Sequence, residues 1–314
     1  MSRVLVTGAG GFIGRVAVRA FLAAGWQVRA AARSVPADAE PDAEWLAVGD
    51  VREPSAWQGA AEGISYIIHL AGRAHMLRET THGSLAIFRS INVEATRRLA
   101  SEAARAGVRR FVFMSSIGVN GQRTDAVPFR ESDAPRPSTP YAVSKWEAEQ
   151  TLRSLAQKSG MEYVILRAPL VYGAQVPGNF RRLVKWVGHG WPLPIAAVDN
   201  RRSMIYVENL ADALLRCAAH PAAANQSFVI SDRQAISTPD LVRLIAQQFA
   251  QSARLWRVPE SILRIIDVLT ARRLPIAPLL DSLVIDPSRI EQCLGWIPPC
   301  CLKEGLRRTL ATFR

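Results

Sequence analysis

The stretch RVLVTGAGGFIG, residues 3–14, decides the fold. A short run of apolar β-forming residues ends in a glycine cluster, and a helix-like segment, 12–24, follows it. Gly8 permits the backbone angles of a tight turn, Gly11 lets the backbone approach a pyrophosphate, and Gly14 lets the helix pack closely on the strand. The N–H groups that open this helix attract negative charge. The stretch therefore predicts a phosphate-binding strand-turn-helix unit, although its spacing is G-x-x-G-x-x-G rather than G-x-G-x-x-G.

Strand-like and helix-like segments alternate along most of the chain. Because this alternation is typical of parallel βαβ units, we predict an α/β fold, a Rossmann doubly wound parallel sheet with a smaller mixed C-terminal domain. The predicted strands are 28–32, 45–49, 64–72, 109–116, 163–167 and 227–230, and the predicted helices include 54–61, 84–106 and 141–158. We assign the dinucleotide-binding domain to 1–175, with 204–231 returning to it, and the substrate-binding domain to 176–203 and 232–314.

The composition excludes several classes of protein. The chain has 314 residues, of which 49% are hydrophobic and 21% charged, as in an ordinary globular protein. No apolar run reaches the ~18 residues of a membrane-spanning helix, and the first residues do not resemble a secretion signal. We therefore expect a cytoplasmic location and no membrane span. The four cysteines, Cys217, Cys293, Cys300 and Cys301, lack the spacing of a metal site, so we expect free thiols and no metal.

The net charge of +12 raises the question of an anionic partner. The arginines are scattered as singles and pairs, without a polybasic run that alternates with aromatic residues, so we do not expect nucleic-acid binding. The basic segment 262–273 fits either a helix on a membrane surface or a helix packed into the small domain with its arginines in water. We favour the packed helix.

The end of the second predicted strand indicates which cofactor the fold takes. A carboxylate about 20 residues after the glycines normally binds the adenosine ribose and repels a 2′-phosphate. This chain has Arg33 and Ser34 there, and no acid before Asp38, so NADP(H) is favoured and NAD(H) is the alternative. Asp50 and Val51 follow the third strand, where an adenine edge could lie. Small residues then end the fourth strand and leave room for a ligand: Leu70, Ala71 and Gly72.

Three polar residues form the candidate catalytic group. Tyr141 and Lys145 are four residues apart on a predicted helix and therefore share a face, and Ser116 ends a predicted strand. The lysine charge and the charge of a cationic nicotinamide would both favour phenolate and lower the tyrosine pKa from its usual value near 10. The serine hydroxyl can hold the substrate oxygen beside the tyrosine. Such a group is suited to moving a proton on or off a hydroxyl while a hydride moves at the carbon that bears it.

At this point the chain resembles the extended short-chain dehydrogenase/reductase family, which comprises nucleotide-sugar epimerases, dehydratases and reductases. The resemblance covers residues 1 to about 212. The matching pieces, in family order, are Gly8-x-x-Gly11-x-x-Gly14, Asp50-Val51, His69-Leu70-Ala71-Gly72, Asn92-Val93-x-Ala95-Thr96, Ser115-Ser116, Tyr141-x-x-x-Lys145, Arg167-x-Pro169-x-Val171-Tyr172-Gly173 and Arg202-Ser203-Met204-Ile205-Tyr206-Val207.

The resemblance implies roles for further residues. Ser116 and Tyr141 would contact the sugar oxygen, and Lys145 would contact the nicotinamide ribose. Asn179 and Arg202 would lie near the diphosphate of a UDP-linked nucleotide sugar. The remaining implied cofactor contacts are Phe12, Ile13, Asn92, Ser115 and Pro169. A homodimer through the helices at 84–106 and 140–158 is also implied.

The chain departs from the family pattern at several positions. Ala95 replaces a usual glycine, and Tyr206 and Asn209 stand where the epimerases often have histidine and aspartate. No arginine is clearly placed as a second diphosphate ligand, although Arg272 or Arg273 could serve.

The residues narrow the reaction to exchange of a hydride at C4. Sugar dehydratases need an Asp-Glu pair after the catalytic hydroxyl, whereas Ile117 and Gly118 follow Ser116 here. A 4-keto reductase of UDP-4-keto-6-deoxy-N-acetylhexosamines, of the surface-polysaccharide (lipopolysaccharide) type, and a UDP-glucose or UDP-N-acetylglucosamine 4-epimerase remain. We favour the reductase because Arg33 suits an exchangeable NADP(H). A non-catalytic dinucleotide-binding regulator is disfavoured by the intact Ser116, Tyr141 and Lys145.

Overall fold

The computed structural model describes residues 2–74, 84–269 and 276–313. Seven parallel strands form one sheet in the order β3-β2-β1-β4-β5-β6-β9, and β7 pairs with β8 in a second, two-stranded sheet. The strands are β1 Arg3–Thr7, β2 Gln27–Ala32, β3 Glu44–Ala47, β4 Tyr66–His69, β5 Arg110–Ser116, β6 Glu162–Ala168, β7 Leu170–Tyr172, β8 Met204–Tyr206 and β9 Gln226–Val229. The predicted doubly wound α/β fold is confirmed.

Helices cover both faces of the large sheet, which is why strands such as β1 and β4 are apolar on both sides. Helices α1 and α6 pack together, and α3 packs with α4. The helices are α1 Phe12–Ala23, α2 Ser84–Phe88, α3 Ala95–Arg105, α4 Pro140–Ser159, α5 Gly178–Gly188, α6 Val207–Ala219, α7 Thr238–Gln248, α8 Glu260–Leu269, α9 Ala277–Leu280, α10 Ser288–Leu294 and α11 Leu302–Ala311. Within the described residues, no helix is long and apolar enough to cross a bilayer.

Among the described residues, two of the large hydrophobic cores meet at α1. One core, the sheet core, lies between the sheet and helices α1 and α6, with Phe21 and Leu210 among its buried members. The other, the distal core, gathers apolar residues from Tyr172 onward. Ile13 and Val171 pack against both cores. The start of α1 is therefore held from two sides.

Two predicted helices differ from the observed structure. The segment 54–61 contains no helix: it runs through consecutive turns, because Gly59 and Gly63 adopt positive φ values of 69° and 67°. The segment 84–106 is helical, but the π-helix Arg89–Glu94 separates α2 from α3. A π-helical turn inside a helix often marks a functional position, and this one carries Asn92.

Helix α8, Glu260–Leu269, overlaps the first part of the basic segment 262–273, for which we expected a helix packed into the small domain with its arginines in water. Leu263 and Asp267 are its buried residues, whereas Ile265 and Leu269 are 58% and 78% exposed. Leu263 packs into the distal core and Arg264 is exposed, as in a packed helix with its arginine in water, but most of the apolar residues of α8 also face water. Arg272 and Arg273 lie outside the described residues.

Candidate active site

The glycine turn after β1 has the geometry that the sequence predicts. Gly8 has a φ of +68°, and the Gly11 N–H donates to the Gly8 carbonyl at 2.9 Å. A Cβ on Gly14 would lie 2.1 Å from the Gly8 carbonyl oxygen, and a Cβ on Gly8 would lie 2.8 Å from the Ala71 nitrogen. Both contacts are with backbone atoms, which cannot swing away as a flexible side chain can. Glycine is therefore required at both positions. Gly11 is the N-cap of α1 and has no capping side chain, so the first N–H groups of the helix are open to a ligand.

A cavity of about 970 Å³ opens at the carboxyl ends of β1, β2 and β4. This is the crevice where open α/β sheets bind their ligands, since the strand order reverses between β1 and β4. Eight residues that we assigned to the cofactor line it: Gly8, Gly11, Arg33, Asp50, Val51, Leu70, Ala71 and Gly72. The other assigned residues are not among the described lining residues: Phe12, Ile13, Gly14, Asn92, Ser115, Tyr141, Lys145 and Pro169.

The cavity has an excess of positive charge. Arg15, Arg33, Arg52 and Arg73 line it, together with one carboxylate among the described lining residues, that of Asp50. Hydrogen bonds from Arg52 lower the pKa of Asp50 to about 2, so this carboxylate stays ionised and paired. Sequence reasoning missed Arg15, which directly follows Gly14, donates to the Gly10 carbonyl at 3.1 Å and pairs with Asp38. Arginine directly after the glycine turn was the available signal.

Tyr141 lies in the first turn of α4, beside the end of β5. Thr139 caps this helix by accepting a hydrogen bond from the Ala142 N–H at 3.2 Å, and Pro140 occupies its first position. Burial raises the pKa of Tyr141 to about 12, and a hydrogen bond with Ser116 acts in the opposite direction. In the protein alone, the loss of water around the phenol outweighs this hydrogen bond, so Tyr141 is a neutral phenol. The predicted lowering includes the charge of a bound nicotinamide and stays a prediction.

The Lys145 ammonium lies one turn further along α4. Its Nζ donates to the Met114 carbonyl at 2.8 Å and lies 4.5 Å from the centre of the Phe113 ring. Burial lowers the pKa of Lys145 to about 8, against the attraction of the Glu149 carboxylate. A Cβ on Gly72 would lie 3.5 Å from this Nζ. Because Gly72 lines the cavity, the ammonium stands directly behind the cavity wall.

Asn92 links the π-helix to the turn that carries Tyr141. Its Nδ2 donates to Ser144 Oγ at 3.0 Å and to the Arg73 carbonyl at 3.1 Å, and its Oδ1 accepts from the Arg73 N–H at 2.9 Å. Ser144 Oγ in turn donates to the Tyr141 carbonyl at 2.7 Å. The Asn92 amide is thus fully used by contacts within the protein. It connects the backbone at Arg73, which lines the cavity, to the helical turn that carries Tyr141.

A buried chain of hydrogen bonds holds His69 behind the cavity. Thr96 Oγ1 donates to the Asn92 carbonyl at 2.7 Å, so it accepts from His69 Nε2 at 2.9 Å. His69 Nδ1 then accepts from Thr7 Oγ1 at 2.7 Å. This direction requires the neutral Nε2–H tautomer. Burial and the Lys145 charge lower the pKa of His69 to about 3, which agrees with a histidine that stays neutral.

Ser115 belongs to a second buried network, which joins β5 to α4 and β6. Its hydroxyl donates to Glu149 Oε1 at 2.5 Å, and Arg167 forms a bidentate ion pair with Glu149 at 2.9 and 2.7 Å. Arg167 also donates to Asn120 Oδ1 at 3.0 Å. Glu149 follows Lys145 by one helical turn, so this network anchors the helix face that bears the candidate catalytic residues.

The two residues predicted to bind the substrate diphosphate lie away from the cavity. Asn179 is exposed in the first turn of α5. Arg202 is half-buried, and its guanidinium donates to the Asp281 carbonyl at 2.8 Å. Neither is among the described residues that line the cavity.

Tyr206 and Asn209, the two departures from the epimerase pattern, belong to a structural cluster around Asp232. Asn209 Nδ2 donates to Asp232 Oδ1 at 2.7 Å, the Tyr206 N–H donates to both carboxylate oxygens, and the Tyr172 hydroxyl donates to Oδ2 at 2.7 Å. Burial raises the pKa of Asp232. An amide at position 209 can donate to this carboxylate, whereas an ionised aspartate there could not.

This arrangement has counterparts among known proteins. A model of the NAD dependent epimerase/dehydratase family matches residues 4–231. A Vibrio cholerae protein named UDP-glucose 4-epimerase is 35% identical over 315 residues, which are 99% of this chain and 95% of the relative. An Escherichia coli O157:H7 protein named N-acetyl-alpha-D-glucosaminyl-diphospho-ditrans,octacis-undecaprenol 4-epimerase is 24% identical over 280 residues, 84% of this chain and 82% of the relative.

A solved structure gives the same result for the fold. MoeE5 in complex with UDP-glucuronic acid and NAD matches with a TM-score of 0.79 at 26% identity, over 100% of this chain and 99% of that chain. The glycine turn, the parallel sheet and the matched length thus agree. The chain belongs to the NAD dependent epimerase/dehydratase family, and it is an enzyme of the extended short-chain dehydrogenase/reductase type.

Proposed function

We propose that the enzyme acts at C4 of a UDP-linked hexosamine, and that its reaction is the reduction of a UDP-4-keto-6-deoxy-N-acetylhexosamine. The observation that carries the proposal is the placement of the Tyr141 phenol, which is buried and hydrogen-bonded to Ser116 and is protonated in the protein alone. A protonated phenol can give a proton to a carbonyl oxygen at once, as a keto reduction requires. A reaction that starts by removing a hydroxyl proton needs the phenolate instead.

The residues at the cavity fit a nicotinamide dinucleotide. A Cβ on Gly8 or Gly14 would overlap backbone atoms, so the turn keeps the open start of α1 that a pyrophosphate needs. The positive charges of Arg15, Arg33 and Arg52 suit a phosphate-rich ligand. When bound, such a cofactor exchanges a hydride with the sugar carbon. Arg33 and Ser34 at the end of β2 further support NADP(H) over NAD(H).

In this proposal Tyr141 and Ser116 act on the sugar oxygen. The Tyr141 O–H donates its proton to the C4 oxygen as the carbonyl becomes an alcohol, and the Ser116 O–H holds the same oxygen by a hydrogen bond. Lys145 places a positive charge one turn from the phenol, which stabilises the phenolate left after proton transfer. The Asn92 and Glu149 networks hold α4 in a fixed position against β5 during the reaction.

A 4-epimerase is the second candidate, and the relatives favour it. The 35% identical Vibrio cholerae protein is named a UDP-glucose 4-epimerase, and the Escherichia coli relative is named a 4-epimerase of a lipid-linked sugar diphosphate. In that reaction the same three residues would first remove and later return the hydroxyl proton.

Cofactor balance distinguishes the two reactions. Purified enzyme with UDP-4-keto-6-deoxy-GlcNAc and NADPH is expected to consume one NADPH for each sugar reduced, followed by absorbance and by nucleotide-sugar chromatography. Interconversion of UDP-GlcNAc and UDP-GalNAc without net cofactor consumption would establish the epimerase instead. Absence of both reactions would contradict action at C4 of these sugars.

The choice of cofactor is testable at Arg33. Arg33→Asp is expected to lower the ratio of kcat/KM for NADPH to kcat/KM for NADH by about tenfold or more, because a carboxylate repels a 2′-phosphate and accepts from a free 2′-hydroxyl. The control is Arg123→Asp, the same charge change at an exposed arginine outside the described cavity lining. An unchanged ratio in Arg33→Asp would mean that Arg33 does not contact the ribose.

A further inference from the structure

Helix α8 points its apolar side at water. Ile262, Ile265 and Leu269 recur at the spacing i, i+3, i+7 of one helical face, and with Val268 they form what we call the α8 face. Their exposed fractions are 46%, 58%, 78% and 70% respectively. A packed surface helix normally buries such a stripe. Here Leu263 and Asp267, on the opposite side, face the protein.

Exposed tryptophans lie on the segment that leads into α8 and on the loop paired with that segment. Trp256, four residues before α8, is 62% exposed. The backbone N–H of Trp256 donates to the Leu193 carbonyl at 2.9 Å, which places this residue next to the loop that carries Trp191. Trp191 and Trp186 stack edge-to-face with centroids 4.7 Å apart and are 53% and 43% exposed. Three indoles therefore lie on the same part of the surface.

Exposed, positively charged side chains lie near these tryptophans in the chain. Arg254 and Arg257 flank Trp256, are exposed, and form no ion pair with any residue in the described ranges. On α5 the exposed residues Arg181, Arg182 and Lys185 precede Trp186 and are likewise outside the described ion pairs. The apolar surface is thus bordered by positive charge, in a chain whose net charge is +12.

We propose that the α8 face and Trp256 dock the enzyme on an anionic phospholipid surface, a role beyond its chemistry at C4. A helix with an apolar face, cations beside it and neighbouring tryptophans lies in the plane of a membrane interface, with its apolar residues among the acyl chains and its arginines at the phosphates. A second copy of the chain is a poorer occupant, because it would bring the same unpaired arginines close to one another.

Vesicle sedimentation tests this docking. The purified enzyme is mixed with vesicles of 30% phosphatidylglycerol in phosphatidylcholine, and with vesicles of phosphatidylcholine alone. We expect binding to the anionic vesicles, a blue shift of the tryptophan emission, and weakening by added salt. Ile265→Ser/Leu269→Ser is expected to weaken binding at least tenfold. Val127→Ser/Ile297→Ser is the matched control, because these two residues are also exposed, at 72% and 52%, and lie outside the α8 face.

Each alternative result overturns the proposal. Sedimentation no greater with anionic than with neutral vesicles excludes an anionic lipid surface. Unchanged binding by Ile265→Ser/Leu269→Ser, measured on a variant with the wild-type circular dichroism spectrum, places the lipid contact elsewhere. A wild-type dimer that this variant converts to a monomer, without vesicle binding, assigns the α8 face to a second copy. None of these outcomes bears on the proposed reaction, because reductase activity is measured without vesicles and neither residue lies at the candidate active site.

Discussion

Tyr141→Phe is expected to lower kcat by about 10³-fold and to leave the stability of the fold nearly unchanged. The substitution removes only the phenol oxygen, and a positioned acid typically contributes about 10²–10⁴-fold to a rate. The ring itself remains packed beside Phe88. The measurement is single-turnover reduction of the 4-keto sugar with saturating NADPH, together with cofactor binding by fluorescence.

The control for this experiment is Tyr163→Phe. Tyr163→Phe also removes one hydroxyl contact, with Arg153 at 3.1 Å. Tyr163 lies near the start of β6, at the end of the strand opposite to the cavity. This variant should retain wild-type turnover. Full activity in Tyr141→Phe would remove the Tyr141 hydroxyl from the mechanism, whereas equal losses of kcat and of cofactor binding would mean that this hydroxyl positions the cofactor instead.

Arg167→Met is expected to destabilise the folded state by about 3–5 kcal/mol, the range observed when one partner of a buried ion pair is removed. Arg167 and Glu149 are both almost fully buried, so the substitution leaves the Glu149 carboxylate without its main counter-charge. The free energy of unfolding is measured by urea denaturation, with the slope checked for a change in cooperativity.

A double variant shows whether the unpaired charge is the cause. Adding Glu149→Gln to Arg167→Met removes the charge and should recover part of the lost stability. Arg307→Met is the surface control: Arg307 pairs with Glu304 on the exposed side of α11, and its loss should leave the unfolding midpoint unchanged. A destabilisation by Arg167→Met below about 1 kcal/mol would show that water reaches Glu149 in the variant.

Local geometry explains which parts of the site could be predicted from the sequence. The glycine turn follows from the space around a backbone, and the shared face of Tyr141 and Lys145 follows from the helical period. Contacts between distant segments leave no such local pattern. Thr7 and His69 are 62 positions apart, and Arg167 and Glu149 meet only because β6 packs against α4. The Tyr141 pKa in the protein alone depends on the same packing, so its direction could not be predicted from a neighbouring lysine.

Two differences from the predicted structure have the same origin. The apolar residues of 54–61 favoured a helix, but Gly59 and the following Gly63 allow a series of turns that bury Trp57 equally well. In α8 the spacing of Ile262, Ile265 and Leu269 correctly indicates an amphipathic helix. Spacing reveals which residues share a face, but whether that face meets protein, water or lipid depends on the surroundings, which only the tertiary structure supplies.

The position of α1 between two cores has a thermodynamic consequence. Ile13 packs against both the sheet core and the distal core, and it lies two residues after Gly11, where a phosphate would meet the helix. A ligand that shifts the start of α1 therefore also shifts contacts in the distal core. Any resulting change in affinity is reciprocal, because linkage changes the two affinities by the same factor. We therefore expect the binding isotherms for nucleotide cofactor and sugar nucleotide each to depend on the concentration of the other.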